Sequence, residues 1–346
     1  MLETTTYCNT AADEGGLSMH RVFSTRRLPE ATVAYLKNHV ELDIWDGTKR
    51  PTFEQLVERA QTADGIITSG ISIDDALLSK LPNLKCVSTS SVGYDHFDTA
   101  AMRRHGVIGT HTPGVLDETV ADLTFTLMLA AARRVVEMDA IVRQGKWHGK
   151  PENFYFGVDV HHRTLGIIGM GRIGEAVARR AALGFGMDVL YHNRTRKPEV
   201  EQRFGLEYTS FEDLLRRADF VVLLTPLTEE TRGLMNQAAF DLMKSSAIFV
   251  NVSRGLTVDE DALYNALKNG SIRAAGLDVF REEPTPVSNP LLQLDNVVVL
   301  PHIGSATQTT RDDMAMLAAK NVVAVLEGRA SDAKVISELR DLVKEC

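Results

Sequence analysis

From Arg21 to about Thr110, short apolar runs alternate with stretches of helical period. Val22-Phe23, Glu41 to Ile44, Gly65 to Ile67 and Lys85 to Ser88 read as strands, and Ala31 to Asn38, Phe53 to Ala60 and Asp74 to Leu81 as helices. This alternation predicts βα repetition around a parallel sheet. Thr112-Pro113-Gly114 interrupts it, and one long helix is expected from about Glu118 to Gln144, stopped by Gly145. Alternation resumes at Leu165. Strands are expected over Leu165 to Ile168, Val189 to His192, Phe220 to Leu224, Ala247 to Val252, Ala274 to Leu277 and Val297 to Leu300, enough for a second doubly wound sheet. Ser210 ahead of Asp213 resembles a helix cap, and Asn269-Gly270 closes the helix that holds Leu263 and Leu267. A last helix, Thr309 to Leu326, carries Met314, Leu317, Ala318, Val322 and Val325 at helical spacing. No third strand-rich unit follows, so this helix is expected to pack back on the first domain.

The chain has 346 residues and is 44% hydrophobic, which suffices for a large core and, by ordinary domain size, two units. The expected division is an outer domain of residues 19–112 and 302–335, an inserted domain of 113–301, a flexible extension of 1–18 and a tail of 336–346. The formal charge of −8 argues against nucleic acid and against a general anionic membrane surface. An anionic ligand must then be caught by local arginines or helix N-termini. Cys8, Cys86 and Cys346 are widely spaced, which supports neither a disulfide framework nor a zinc or other metal site and fits a reducing cytoplasm. The apolar run Leu123 to Ala132 is too short to span a bilayer and ends at Arg133 and Arg134. Residues 1–18 are polar and unlike a secretion signal, and Met19 is a candidate functional start.

The strand beginning at Thr164 runs into Gly169-Met170-Gly171-Arg172-Ile173-Gly174, a G-x-G-x-x-G turn followed by an amphipathic helix with Ile173, Val177 and Ala181. Gly169 permits the tight turn, Gly171 lets the backbone approach a pyrophosphate, and Gly174 lets helix and strand pack closely. Free N–H groups at the helix start face the phosphates. About twenty residues further on, where an acidic side chain would take the ribose hydroxyls of NAD, the chain reads Asn193-Arg194-Thr195-Arg196-Lys197. A neutral Asn193, the Arg194 guanidinium and the Thr195 hydroxyl suit a 2′-phosphate, so NADP(H) is the expected cofactor, with NAD(H) also admissible. The competing reading is a solvated basic turn before Pro198.

Hydride transfer to a keto acid needs a cation for the carboxylate, a proton donor at the carbonyl oxygen and a group that tunes the donor. Arg254 follows the strand ending in Asn251-Val252-Ser253, and His302 follows the last strand, in Pro301-His302-Ile303-Gly304-Ser305. Both stand at strand carboxyl ends, where open α/β sheets bind ligands. Between them, Asp278 to Pro284 supplies Glu282 and Glu283, and a carboxylate beside an imidazole favours its protonated form. Singly, Arg254 reads as a surface charge, His302 as a structural histidine and the glutamates as a solvated turn. Their coincidence at strand ends singles them out. His148, His161 and His162 lack that context; the last two precede the fingerprint strand, where a hinge role is expected.

Ser91-Val92-Gly93-Tyr94-Asp95, the glycine fingerprint, Asn251 to Gly255, Gly276 to Phe280 with Glu283-Pro284, and Pro301 to Ser305 occur in the order found in D-isomer-specific 2-hydroxyacid dehydrogenases. The chain resembles that family from Val22 to about Leu326, most nearly its glyoxylate/hydroxypyruvate reductase branch, which includes 2-ketogluconate reductases. Leu116 to Asp122, Arg133 to Glu137 and Lys244 to Phe249 extend the likeness. The resemblance implies an α/β fold of two doubly wound parallel-sheet domains, a flavodoxin-like substrate domain and an inserted Rossmann nucleotide domain. It implies that Arg254 holds the substrate carboxylate, His302 delivers the proton and Glu283 keeps the imidazole protonated, with the N–H groups of Val92 and Gly93 also on the carboxylate. Thr119, Val252 and Asp278 would line the nicotinamide, Ser253 and Gly304 would be further cofactor contacts, and Thr225-Pro226-Leu227 would lie under the adenosine. The helix after Thr119 would be a homodimer arm over 118–150, with Trp147 reaching a neighbouring subunit.

The expected reaction is NADPH-preferring reduction of glyoxylate to glycolate and of hydroxypyruvate to D-glycerate, with 2-ketogluconate or another D-2-hydroxyacid as alternatives. Closure would bring Val92 and Gly93 toward Arg254, with hinges near Thr112 to Val115 and Pro301 to Gly304. A chain ending soon after the return helix makes serine-pathway oxidation a weaker expectation. Formate dehydrogenases pair their histidine with glutamine, so Glu283 argues against that chemistry. An NAD(H)-sensing corepressor of the same fold is the reading of a different class.

Overall fold

The computed structural model describes residues 19–343; the expectations for residues 1–18, for Cys8 and for Cys346 lie outside the described residues. The chain divides into two compact units. One holds residues up to Thr89, Asp98–Thr110 and the chain from Ala318; the other holds Ser90–Phe97 and His111–Leu317. The division falls inside the return helix.

The first unit strings together β1 (Arg21–Ser24), α1 (Glu30–Lys37), β2 (Glu41–Ile44), α2 (Phe53–Ala60), β3 (Gly65–Thr68), α3 (Asp75–Leu78), β4 (Cys86–Thr89), α4 (Thr99–Arg104) and β5 (Ile108–Thr110). Its strands are parallel in the order β2-β1-β3-β4-β5, the flavodoxin-like order. Thr52 starts α2 with a reciprocal capping box to Gln55. Val22, Leu36, Ile67 and Cys86 close the core against Ala318, Ala319, Val322 and Val323 of the return helix. That helix therefore packs on the first sheet as its apolar stripe predicts. The residues after it also dock: Val335 bridges Thr110, and the Ile336 N–H donates to the Gly109 carbonyl at 3.0 Å.

The second unit contains α5 (Asp117–Ala132), α6 (Val135–Arg143), β6 (Thr164–Ile168), α7 (Arg172–Phe185), β7 (Asp188–His192), α8 (Pro198–Phe204), β8 (Glu207–Tyr208), α9 (Phe211–Arg217), β9 (Phe220–Leu223), α10 (Gln237–Leu242), β10 (Ile248–Asn251), α11 (Glu260–Lys268), β11 (Ala274–Leu277), β12 (Val297–Val299) and the part up to Leu317 of the return helix α12 (Gln308–Leu326). Its parallel sheet runs β12-β11-β10-β9-β6-β7-β8, the Rossmann order extended by a strand. β6, β9, β10 and β11 are buried nearly throughout because helices cover both faces. Phe125, Met128, Val177 and Ala181 of α5 and α7 pack on one face. Leu214, Phe240 and Leu263 of α9, α10 and α11 pack on the other.

Two expectations are corrected. The single helix over Glu118 to Gln144 is two, α5 and α6, because Arg134 takes the left-handed conformation at φ 55°. Val158 donates its N–H to the Ala132 carbonyl at 2.9 Å, satisfying the end of α5, and the Arg134 guanidinium bonds Glu137 and the Phe154 carbonyl. The second sheet has seven strands, not six. β8 is a two-residue edge strand beside β7, too short to leave a periodic signal. Ser210 caps α9 through the Asp213 N–H, and Asn269 with Gly270 at φ 72° ends α11, as expected.

Candidate active site

The fingerprint turn leaves β6 at the point where the strand order reverses, between β6 and β9. Gly169 sits at φ 103°, and a Cβ there would fall 2.8 Å from the Leu224 carbonyl carbon and 2.9 Å from the Thr225 nitrogen. A side chain at Gly174 would fall 2.5 Å from the Gly169 carbonyl oxygen. The first and third glycines thus close the turn onto β9 and α7. Gly171 differs: a Cβ there would meet nothing within 4 Å, and no side chain caps α7 in front of it. The space and the unbonded N–H groups at that helix start form the cradle a pyrophosphate requires. Beside it, the Thr225 hydroxyl is buried without a partner among the described residues. Arg172 lies 3.4 Å from Asp117, whose pKa is raised by burial against the pull of that guanidinium. These features fit a dinucleotide.

At the end of β7 the loop is ordered by side chains. The Tyr191 hydroxyl accepts from the Lys197 N–H at 2.7 Å and donates to Glu201 at 2.6 Å. Arg196 grips both Glu201 oxygens, which together with Tyr191 holds that carboxylate down at about 2, while burial and Glu201 push Tyr191 up to about 12. The Asn193 amide bonds the Thr195 carbonyl at 2.8 Å, and Arg194 is exposed with no hydrogen bond or ion pair among the described residues. Of the three cations in this turn, Arg196 is already committed.

Three loops at the carboxyl ends of β10, β11 and β12 are tied to one another. Asn251, 1% exposed, accepts from the Ser253 N–H and hydroxyl at 2.9 and 2.8 Å and donates to the Arg254 carbonyl at 3.0 Å. A Cβ at Gly255 would stand 1.9 Å from the Phe280 carbonyl, so this glycine lets the Arg254 loop lie against the next one. Asp278, 1% exposed, accepts from the N–H groups of Ile303 and Gly304 at 2.7 and 2.8 Å. Burial raises its pKa, outweighing those two bonds and the nearby His302. Glu283 accepts from the Phe280 N–H at 3.0 Å with one oxygen and bonds His302 Nδ1 at 2.7 Å with the other. Burial alone would raise Glu283, but the His302 bond and the Phe280 N–H outweigh it and hold the carboxylate below its usual range. His302 itself stands at φ 53°, a left-handed position that turns its ring back toward Glu283.

The Arg254 guanidinium donates from Nε to Asp95 at 2.8 Å and from Nη1 to the Ser253 carbonyl at 2.8 Å. Its Nη2 occupies the place a Gly93 side chain would take, 1.8 Å from an added Cβ. Gly93 therefore lies directly at Arg254. Val92, Ile173 and Val252 pack together on Leu116, Val120 and Met314, and Thr119 bonds Thr310 at 2.7 Å. Thr225 follows β9 beside Gly169, and Pro226 comes next in the chain. Trp147 is 69% exposed, far from being packed in its own chain. Asp95 and Asn251 entered the sequence reading only inside motifs. The available signal was a carboxylate two residues beyond Gly93 in the loop after β4.

The sequence profile described as D-isomer specific 2-hydroxyacid dehydrogenase, NAD binding domain, matches residues 125–304, more than half of the chain. The chain belongs to this dehydrogenase family. Glyoxylate/hydroxypyruvate reductase B of Escherichia fergusonii is 50% identical over 303 residues, 88% of this chain and 94% of that protein. The Serratia proteamaculans protein of the same name is 48% identical over 314 residues, 91% and 97% of the two chains. Among solved structures, a Thermus thermophilus protein superposes at a TM-score of 0.84 with 45% identity, covering 91% of this chain and all of that one. The NADPH-dependent glyoxylate/hydroxypyruvate reductase of Sinorhizobium meliloti, solved with NADP and malonate, gives 0.82 at 31% identity, covering 93% and 98%. The two parallel sheets of this 2-hydroxyacid dehydrogenase are those of its relatives. No described helix is long and apolar enough to cross a membrane.

Proposed function

We propose that this 2-hydroxyacid dehydrogenase is an NADPH-preferring reductase that converts glyoxylate to glycolate and hydroxypyruvate to D-glycerate. The observation that carries the reading is the 2.7 Å bond between His302 and Glu283, held at a Rossmann sheet edge against the Arg254 loop. The names of the relatives and the malonate in the Sinorhizobium meliloti complex, a small carboxylate, support it.

Arg254 takes the substrate carboxylate with the guanidinium edge left over from Asp95 and Ser253, assisted by the N–H groups of Val92 and Gly93. NADPH, when bound, supplies the hydride. As the keto oxygen gains charge, His302 donates its proton from Nε2, because Nδ1 is engaged by Glu283. Glu283 stays ionised and sets the ring's orientation. Gly169, Gly171, Arg172, Ile173 and Gly174 hold the pyrophosphate; Asn193, Arg194 and Thr195 the 2′-phosphate; Thr225 and Pro226 the adenosine; Thr119, Val252, Ser253, Asp278 and Gly304 the nicotinamide end. The unit carrying β1 to β5 is the substrate domain in this reading, and the unit carrying β6 to β12 the nucleotide domain.

A homodimer through residues 118–150 completes the proposal. α6 has no buried residue, and Val135, Val136 and Val142 are each more than half exposed, as is Trp147. Such a row of apolar side chains suits a second copy. A cytoplasmic setting fits the free, buried Cys86 thiol, which burial pushes far up in pKa.

The test is NADPH consumption with glyoxylate, hydroxypyruvate and 2-ketogluconate. Turnover of the first two above the third supports the reading. Preference for 2-ketogluconate moves the substrate to the extended class, and no turnover with any of them replaces catalysis with nucleotide sensing.

A further inference from the structure

We infer that Asp95 is a positioning residue for substrate: it takes the Nε face of Arg254 and so leaves the Nη edge as the only face of the guanidinium that a carboxylate can use. The inference rests on the proposed role of Arg254 in substrate binding.

Five N–H bonds radiate from a guanidinium in a fixed plane, and a carboxylate is gripped either by the Nε/Nη side or by the two Nη groups at the end. In this chain the side is taken. Asp95 accepts from Nε at 2.8 Å, and Nη1 spends one of its N–H bonds on the Ser253 carbonyl. The side chains of the pair are partly covered, Arg254 27% and Asp95 28% exposed. Burial would raise the Asp95 pKa, yet the charge and hydrogen bond of Arg254 more than offset it, and the carboxyl is held below its ordinary range.

The loop that presents Asp95 is braced independently of Arg254. The Ser91 hydroxyl donates to the Gly93 carbonyl at 2.7 Å, the Thr112 N–H bonds the Ser91 carbonyl at 2.9 Å, and His111 Nδ1 lies 2.8 Å from the Val92 carbonyl. Gly93 completes the arrangement, since only a residue without a side chain leaves room for Nη2 beside it. A long, flexible arginine is thereby held in one rotamer by a carboxylate behind it and a bare backbone in front. Holding it there before substrate arrives removes an ordering cost from binding.

Steady-state kinetics with glyoxylate and NADPH, alongside NADPH binding by fluorescence, tests this on Asp95→Ala, Asp95→Asn, Asp95→Glu and Arg254→Ala. For Asp95→Ala the expected result is a KM for glyoxylate raised by about tenfold or more, with kcat within about threefold and NADPH affinity unchanged, the signature of lost uniform binding. Asp95→Asn keeps an oxygen for Nε and should stay within about threefold of wild type in KM, whereas Asp95→Glu keeps the charge but displaces the guanidinium and should exceed it. This order, Asn milder than Glu, carries the test even if the alanine variant does not fold. Wild-type KM in Asp95→Ala, or Asn as damaging as Glu, overturns the inference while leaving the role of Arg254 standing if Arg254→Ala still raises KM. Wild-type KM in Arg254→Ala overturns both.

Discussion

The fingerprint turn after β6 and the Arg254 loop after β10 are both glycine-bearing turns at carboxyl ends of the strands that flank β9 in one parallel sheet, yet their glycines do opposite work. At Gly171 the space is kept clear. At Gly93 and Gly255 the space is already taken, by Arg254 Nη2 and by the Phe280 carbonyl. One turn is a receptacle made of backbone; the other is a bracket that fixes side chains. A dinucleotide's phosphates can be held by N–H groups alone, but proton donation and carboxylate capture need particular side chains in particular places.

The sharpest test of this contrast removes chemistry from the bracket without touching the receptacle. His302→Ala should lower kcat by about 10²–10⁴, the range for loss of a general acid, while NADPH affinity stays as it was. Wild-type turnover would take His302 out of the acid role and make the Glu283 pair a purely structural contact.

A second pair of variants compares the glycines directly. Gly255→Ala forces apart two backbones already in contact and should cost about 1–3 kcal/mol or more in urea denaturation. Gly171→Ala, exposed and at φ −88°, should change stability by no more than about 0.5 kcal/mol but weaken NADPH binding. Equal stability losses at the two positions would erase the distinction between receptacle and bracket.

The same distinction governs what could be read in advance. The turn's chemistry is local: a strand, three glycines at fixed spacing and a helix occupy adjacent positions, so Gly169 to Gly174 were legible directly. The two sheets were legible for a similar reason, because buried parallel strands are continuous apolar runs. The bracket is long-range. Asp95 and Arg254 stand far apart in sequence, as do Asp278 and the N–H groups it holds, and no periodicity records such pairs. Arg254, Glu283 and His302 emerged from their strand-end placement and a family likeness; Asp95 remained hidden inside a motif. The break at Arg134 was missed because a left-handed arginine needs the Phe154 carbonyl and Glu137 to hold it, partners invisible to a helical-pattern reading. β8 was missed because two residues carry no period.

In the proposed function, the adenosine end of the cofactor site is where the receptacle does rely on a side chain. Arg196 is locked to Glu201, which leaves Arg194 and Lys197, and in the proposed function Arg194 takes the 2′-phosphate. Arg194→Ala should raise the KM for NADPH by about tenfold and leave that for NADH unchanged. Equal rises for both cofactors would assign Arg194 to the shared part of the dinucleotide and end its role in selectivity.

The smallest effect expected is on stability, and it probes whether the bracket is electrostatic as well as steric. Asp95 has a folded-state pKa below its unfolded value, so its carboxylate stabilises the fold at pH above about 4, the unfolded value, and that contribution is lost as pH falls through the folded value. Asp95→Asn removes the charge and keeps an acceptor for Nε. Its melting temperature should therefore lie below that of the wild type at pH 7, and the gap should close as pH is lowered below about 4, where the wild-type carboxyl takes up its proton. Asp278 sets the opposite sign, since burial raises its pKa and its ionised form weighs against the fold at neutral pH. A gap that stays constant from neutral to acid pH would mean that the Asp95–Arg254 contact contributes shape alone, and the bracket would then differ from the fingerprint turn in what fills it but not in how charge holds it.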